Sequence, residues 1–262
     1  GHALRLNGWP QANPFAGLAV NFTMKWSNHF LDAQPMDVIE ALQPHLKRLK
    51  LHRHQPIVEV DEMVSHVVLP IDAVISVIAV MGDGREVESR TIGRESGFGL
   101  LHALGSRLAF ERVTVQVPGD AWQVPVSRLA ELARVHPSLV SAIVGHAQAT
   151  IVQATQATAC NAIHSAEARL CRWLAMTQDR RGGATVPLTQ EHLAIMVGVQ
   201  RTTITALALD MQARGVINYR RGNIAILDRE ALQRGCCECY DVITTAAAKV
   251  LAGYPASESS VA

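Results

Sequence analysis

The hydrophobic and polar positions divide the chain into two textures. Between residues 50 and about 126, apolar residues come in short runs or alternate with polar ones: QPIVEV, SHVVLP, AVISVIAV, REVESRTI, FERVTVQV and DAWQVPV. Turn residues separate these runs at Asp61-Glu62, Pro70-Ile71-Asp72, Gly82-Asp83-Gly84 and Pro118-Gly119-Asp120. Many short strands at this spacing predict a barrel or sandwich, with a hairpin turn at Gly82-Asp83-Gly84. Ahead of them, PMDVIEALQPHLKRL (35–49) has the helical period and predicts a short amphipathic helix, interrupted near Pro44. Residues 1–27 are rich in Asn, Pro and Gly, have no sustained period, and read as a loose extension.

From Pro137 the helical period takes over. PSLVSAIVGHAQATIVQATQATACNAI, to Ile163, has no internal proline and no Lys, Arg, Asp or Glu. It is long enough for about 40 Å of helix. A helix without charge cannot lie free in water. One face can cover the barrel; the other needs a partner, for which the same helix of a second subunit is the simplest choice. Burial within one large domain is the alternative. Ser165 then reads as the N-cap of AEARLCRWLAMTQDR, which ends at Arg181-Gly182-Gly183.

A second pair of helices follows. Thr189 is the expected cap of a short helix to Val197, and Gly198 stands where a helix end favours a left-handed residue. Gln200 opens the next helix, so the pattern is helix, tight glycine turn, helix. On that second helix Ile204, Ala208 and Met211 form a buried stripe, while Arg201, Thr202 and Thr205 fall on another face near its start. Side chains there can reach base edges when such a helix enters the major groove. Arg offers a bidentate fork to guanine, and Thr a hydroxyl or a methyl to thymine. Leu209, by spacing, lies near the same face without an evident reason. After Gly215, VINYRRGNIAIL predicts a small hairpin with Arg220 and Arg221 at its tip, placed to meet phosphate.

Composition adds bounds. The chain has 262 residues, 48% hydrophobic and 18% charged, enough for two ordinary domains with real cores. A net charge of +1 gives no global case for nucleic acid or membrane. Residues 165–235, however, hold ten Arg and no Lys against six acidic residues, a local excess where nucleic-acid binding needs it. The longest apolar run, VISVIAVM, is too short to span a bilayer, so no membrane partner is expected. The opening GHALRLNG lacks the order of a signal peptide. Five cysteines, an odd number, suggest a reducing compartment, and the expected location is cytoplasmic.

The segment LTQEHLAIMVGVQRTTIT…GVINYRRGNIAILDREAL resembles the winged helix of the Crp/Fnr bacterial transcription regulators (cyclic-AMP receptor protein / fumarate-nitrate reduction regulator). The resemblance runs over nearly the whole chain from about Asn28, and ACNAIHSAEARLCRWLAM with GCCECY resembles a subgroup. It implies an α+β protein: a β-roll of the cyclic-nucleotide-binding, jelly-roll type (28–135), a dimerisation helix (136–164) and a winged helix-turn-helix with a C-terminal helix (165–262). It implies a non-enzymatic homodimer that binds a palindromic double-stranded DNA site, with RNA polymerase as a further candidate partner. Arg201 matches the family's guanine-reading Arg. Thr202 stands where the family has Glu, and Ala206 where it has a second base-contacting Arg. Thr189, Gln200 and Thr203, with Arg220 and Arg221 of the hairpin, make the expected phosphate-contacting set.

The sensor segment RESGFGLLHALGSRLAFERVTV departs from the family. Glu95 precedes Gly97 with no Gly-Glu pair, and neither Arg107 nor Arg112 is followed by Ser or Thr and then Ala. These four residues are the candidate effector pocket. The effector is undefined, cyclic AMP is not expected to bind in the usual mode, and no resident cofactor or metal is expected.

Two other constellations carry alternatives. His52, His54 and Glu59 have the H-x-H-x4-E spacing of a cupin metal site, although the surrounding glycines and a later His half-motif are missing. A cupin-like metal-binding barrel, or a protein-interaction module, is therefore the competing reading. Cys236, Cys237 and Cys239 cluster near the C-terminus. With only three thiols close in sequence they read as small packing residues of a terminal helix. His146 and Cys160 sit within the long helix without a defined role.

Overall fold

The computed structural model describes residues 26–251; nearly all of the predicted 1–27 extension lies outside them. Trp26, at the start, is packed: its ring meets Trp122 edge-on at 5.3 Å, and Trp122 Nε1 donates to its carbonyl.

Two short helices, α1 (His29–Asp32) and α2 (Met36–Leu42), precede the strands. Here the sequence expectation fails in its second half. Pro44 ends the helix in a single tight turn, and Lys47–Leu51 becomes strand β1. Six further strands follow: β2 (Pro56–Val58), β3 (His66–Pro70), β4 (Val74–Val80), β5 (Glu86–Ile92), β6 (Arg112–Val117) and β7 (Gly119–Pro125). They coincide with the alternating runs. β1, β7 and β3 form one sheet in that order, and β2, β6, β4 and β5 the other, with every pairing antiparallel. β4 is apolar except for Ser76, and buried from Val74 to Ile78, because one face points into the roll and its other face is largely covered by the helical domain. Thus Ile75 and Val77 join the roll's core, whereas Val74 packs with α5 and its neighbours. Gly84, at φ +83°, closes the β4–β5 hairpin.

An amphipathic helix that the strand pattern did not reveal, α3 (Val126–Val135), leads into the long helix α4 (Pro137–Ile163). α4 has three faces. Leu139 and Ile143 pack into the roll, and Gln153 donates to the Thr91 carbonyl of β5. His146 is buried edge-on against Phe30 at 5.0 Å, and burial pushes its imidazole down to about 4, so it is neutral at physiological pH. A second flank is covered by the C-terminal helix α9 (Cys239–Leu251), whose Val250 lies against Gly145. The third face stays exposed. Val144, Gln148, Ile151, Thr155 and Thr158 recur along it every three or four residues.

The C-terminal unit comprises α5 (Ala166–Arg181), β8 (Thr185–Val186), α6 (Gln190–Val197), α7 (Arg201–Ala213), β9 (Ile217–Arg220), β10 (Asn223–Ile226) and α8 (Arg229–Arg234), with α9 after it. The predicted caps are present. The Ser165 hydroxyl accepts from Ala168 N–H and Thr189 from His192 N–H, and Gly182 and Gly198 end their helices at φ +77° and +70°. Trp173, Leu174, Leu193, Val197, Ile204, Ala208, Met211 and Ile224 share one core.

Candidate nucleic-acid interface

The glycine turn at Gly198 sets α7 at 106° to α6, within the range of DNA-reading helix pairs. The stripe Ile204, Ala208 and Met211 is buried and fixes the rotation of α7 about its axis. That rotation leaves Arg201, Thr202, Thr203 and Ala206 exposed, with Gln200 just ahead of them. Unlike Ser165 and Thr189, Gln200 gives its helix no side-chain cap. The first amides of α7 are therefore left for an external acceptor, the arrangement that binds phosphate. Thr205 is only half-exposed: its hydroxyl lies 3.0 Å from the Arg201 carbonyl and 3.1 Å from Gln190 Oε1. It ties α7 to α6 and has its methyl left to offer a base. Leu209, which spacing alone did not explain, is 61% exposed and continues the open face of α7.

The wing is a three-stranded sheet in the order β8-β10-β9. Asn223 pairs with Arg220 across a two-residue turn, and Arg221 and Gly222 both adopt positive φ, +48° and +75°. That is the turn whose twist suits a tight hairpin. It projects Arg220 and Arg221 outward, both exposed. Gly222 sits against the Thr189 methyl, so wing tip and α6 N-terminus are neighbours. The Thr189 hydroxyl is held 2.6 Å from His192 Nδ1.

The local charge is distributed unevenly. Arg172 and Arg180 are buried. Arg214 pairs with Glu167 and Asp210, Arg229 with Asp179, and Arg234 with Glu230. Arg201, Arg220 and Arg221 have no ion pair among the described residues. Arg169 and Arg181, also without an ion pair among the described residues, are half-buried, so the exposed, unpaired Arg side chains of this unit lie at the start of α7 and on the wing.

The four candidate effector residues are not brought together. Glu95 binds Arg180 of α5, Nε to Oε1 at 2.7 Å, with both side chains nearly buried. Gly97 is pressed against Leu69 and the Val68 carbonyl, with no room for a Cβ. Arg107 is exposed. Arg112 lies on the outer sheet between Glu59 (2.7 Å) and Glu86. The 94–115 segment borders several cavities: one of about 60 Å³ lined by Arg90, Phe98, His102 and His146, and, through Phe98 and Arg112 respectively, two of about 270 and 280 Å³. Ligand sites are roughly 300–1,000 Å³. Arg90, which sequence reasoning passed over, is already held bidentately by Glu111 at 2.7 and 2.8 Å.

Glu95 and Arg94 instead clamp the helical domain onto the roll. The Arg94 guanidinium donates to the Arg180 carbonyl at 2.8 Å and to the Arg181 carbonyl, satisfying orphan groups at the C-terminus of α5. A second joint lies at the roll's outer sheet. Arg53 donates to the Pro187 carbonyl at 2.6 Å, and His54 stacks on His192 with ring centroids 4.4 Å apart. This separates the predicted His52–His54–Glu59 trio: His54 faces α6, Glu59 faces Arg112, and among the described residues the three make no metal-ligand group.

Between these joints is a cavity of about 280 Å³, bordered by Glu88, Arg112, His192 and Met196. Glu88 is fully buried beside Ser76 and Gln116, whose Nε2 donates to it at 2.7 Å. Burial pushes its carboxyl up to about 8, against the opposing hydrogen bonds of Ser76 and Gln116 and the charge of Arg180. The folded chain thus retains a proton that the unfolded chain releases near its ordinary value of 4.5. Glu88's contribution is complete below about 4.5 and is lost as pH rises through about 8. Glu88→Gln should flatten that slope and stabilise the chain at pH 9 by on the order of a few kcal/mol. Parallel melting curves of variant and parent from pH 5 to 9 would refute this.

Residues 168–234 match the family profile described as the Crp-like helix-turn-helix domain. A search of curated proteins finds no match. Solved structures do share the fold. The c-di-GMP responsive global regulator CLP of Xanthomonas campestris is 16% identical, with 74% of this chain and all of that one covered at a TM-score of 0.59. FixK2 of Bradyrhizobium japonicum is 15% identical (73% and 98% covered, TM-score 0.62). A CRP/FNR-family transcriptional regulator of Thermus thermophilus is 17% identical (72% and 97%, 0.58).

Proposed function

We infer, for a chain that carries a Crp-like helix-turn-helix domain within the fold of the Crp/Fnr transcription regulators, a sequence-specific DNA-binding regulator that acts as a homodimer. The observation that carries the DNA reading is the exposed start of α7. Arg201 is free of ion pairs among the described residues, on a helix whose rotation is fixed by its buried stripe, next to a wing ending in Arg220 and Arg221. Base reading falls to Arg201, Thr202, Thr205 and Ala206, and phosphate contact to Thr189, Gln200, Thr203, Arg220 and Arg221. Ala206 offers only a methyl, so discrimination at its base pair is apolar.

The exposed stripe Val144, Gln148, Ile151, Thr155 and Thr158 supports the dimer. Its spacing is that of a two-helix seam, and two copies would place recognition helices for half-sites about 34 Å apart. Among the described residues no single helix is long and apolar enough to cross a bilayer. The working site is the cytoplasm, with RNA polymerase as a further partner and no catalytic step. Cyclic AMP is not expected in the family's usual mode: the 94–115 segment lacks both the Gly-Glu pair and an Arg followed by Ser or Thr and then Ala, and the four residues at those positions do not converge on one cavity. Micromolar binding of cyclic AMP by calorimetry would overturn that statement.

The deciding experiment is selection of genomic fragments on the purified protein, followed by sequencing. Enrichment of one palindrome is the expected result. Enrichment of none, at low salt and protein excess, would favour the protein-interaction reading.

A further inference from the structure

We propose that Cys160, His164, Cys237 and Cys239 form a closed, tetrahedral site for one Zn²⁺-type ion, which clasps the end of the long helix to the start of the C-terminal helix. The sequence places three cysteines close together; the fold selects two of them and adds two partners. Cys160 and His164, four residues apart, share one face at the end of α4. Cys237 and Cys239 stand on either side of Glu238 where α9 begins. One ligand atom from each of the four lies within 4.8 Å of all the others. Cys160 Sγ is 3.5 Å from Cys237 Sγ, and Cys239 Sγ is 3.5 Å from His164 Nδ1. With Zn–S near 2.3 Å and Zn–N near 2.0–2.1 Å, the edges of a tetrahedron are about 3.8 Å between sulfurs and about 3.5 Å from sulfur to nitrogen. These two edges are already close to those lengths, and no edge exceeds 4.8 Å.

The surroundings match a metal site as well. His164 turns Nδ1 to the thiols and Nε2 to the Glu238 carboxylate at 3.1–3.2 Å. Such a carboxylate fixes the tautomer and ring orientation of a metal-bound imidazole. Gln156 Nε2 donates to Cys239 Sγ at 3.2 Å. Arg172 is 1% exposed, has no ion pair among the described residues, and leaves Nε and one terminal nitrogen without an acceptor. A lone buried cation is costly. Three thiolates and one imidazole around a divalent ion carry a net single negative charge, which Arg172 offsets. Burial raises the Cys160 thiol, yet the Arg172 charge and the bonds from His164, Cys237 and Cys239 outweigh it and hold it below the usual thiol range. Burial raises the thiols of Cys237 and Cys239 as well, so thiol acidity does not separate the ligand cysteines from the other two. Burial pushes Cys171 up to about 11 and Cys236 up to about 12, and the Cys236 thiol donates to the Leu232 carbonyl.

Four protein ligands leave no open position, so the ion is structural rather than catalytic. Its position gives it leverage. His164 caps α4 and is followed directly by Ser165, the cap of α5, so the site fixes the joint between the long helix and the winged helix.

The full-length protein, purified under reducing conditions, should contain about one zinc per chain by elemental analysis. After chelation it should take up one equivalent of Co²⁺ with the d–d and thiolate charge-transfer bands of tetrahedral coordination by three sulfurs and one nitrogen. Cys160→Ser, Cys237→Ser, Cys239→Ser and His164→Gln should each lose at least tenfold in Co²⁺ affinity. Cys171→Ser and Cys236→Ser should bind as the parent does. Three results would overturn the proposal: Co²⁺ uptake below 0.1 equivalent by the folded, reduced parent; a content of iron and sulfide in place of a single ion; or equal losses in the Cys236 and Cys237 variants. The parent's Co²⁺ spectrum decides the matter even where a variant fails to fold.

Discussion

Glu95→Ala is expected to destabilise the protein by about 3–5 kcal/mol, more than any other single side-chain deletion at the joint between the roll and the winged helix. Removing one member of a buried ion pair leaves the other charged and without its partner. Arg180 and Glu95 are 7% and 15% exposed, and Arg180 would keep only the Thr91 hydroxyl. Glu95→Gln retains an acceptor at Oε1 and should cost clearly less. The double change Glu95→Leu/Arg180→Met should recover most of the loss, because apolar replacement of the whole pair is often neutral. Urea unfolding measures all three. A Glu95→Ala cost under about 1 kcal/mol would mean that water reaches Arg180 and the pair is no clamp. Since the pair spans the two domains, the same variant should broaden their relative orientation, visible as a larger radius of gyration in solution scattering.

Glu95 also shows where the sequence stops being legible. The strands, the long uncharged helix, the caps at Ser165 and Thr189 and the turn at Gly198 follow from local rules: alternation, helical period, side-chain acceptors at helix starts and left-handed backbone at helix ends. Those rules act within a few residues, and the start of α7 is legible for the same reason. The joint between domains depends on pairs 85 or more positions apart, such as Arg180 with Glu95 and His192 with His54, and no local pattern announces them. A family pattern assigned Glu95, Gly97, Arg107 and Arg112 to one pocket. The fold instead gives them a clamp, a close backbone approach, open solvent and a surface ion pair. The four-donor cluster was hidden likewise: Cys160 and Cys237 are 77 positions apart. The sequence signal that was available is the pairing of a C-x3-H step at the end of one helix with a C-x-C step before another.

Arg201→Ala is expected to abolish specific DNA binding while leaving the fold intact. Arg201 is exposed and has no ion pair among the described residues, so its removal leaves no buried group without a partner. A bidentate contact to guanine contributes about 1–3 kcal/mol of discrimination. In a homodimer on a palindrome the loss occurs twice, about 2–6 kcal/mol, or from roughly thirtyfold to more than ten-thousand-fold in affinity. Arg201→Lys should rescue little, because a point charge cannot reproduce the fork. Arg221→Ala provides the contrast. If the wing meets phosphate, that change should weaken binding to selected and unrelated DNA alike. It should also lower the slope of log K against log salt by about 1 for each phosphate no longer neutralised. Fluorescence anisotropy on both kinds of DNA across a salt series separates the two effects. Should Arg201→Ala instead weaken both DNAs equally, Arg201 would be a phosphate contact. Sequence reading would then pass to Thr202, Thr205 and Ala206, and specificity would rest on methyl and hydroxyl groups alone.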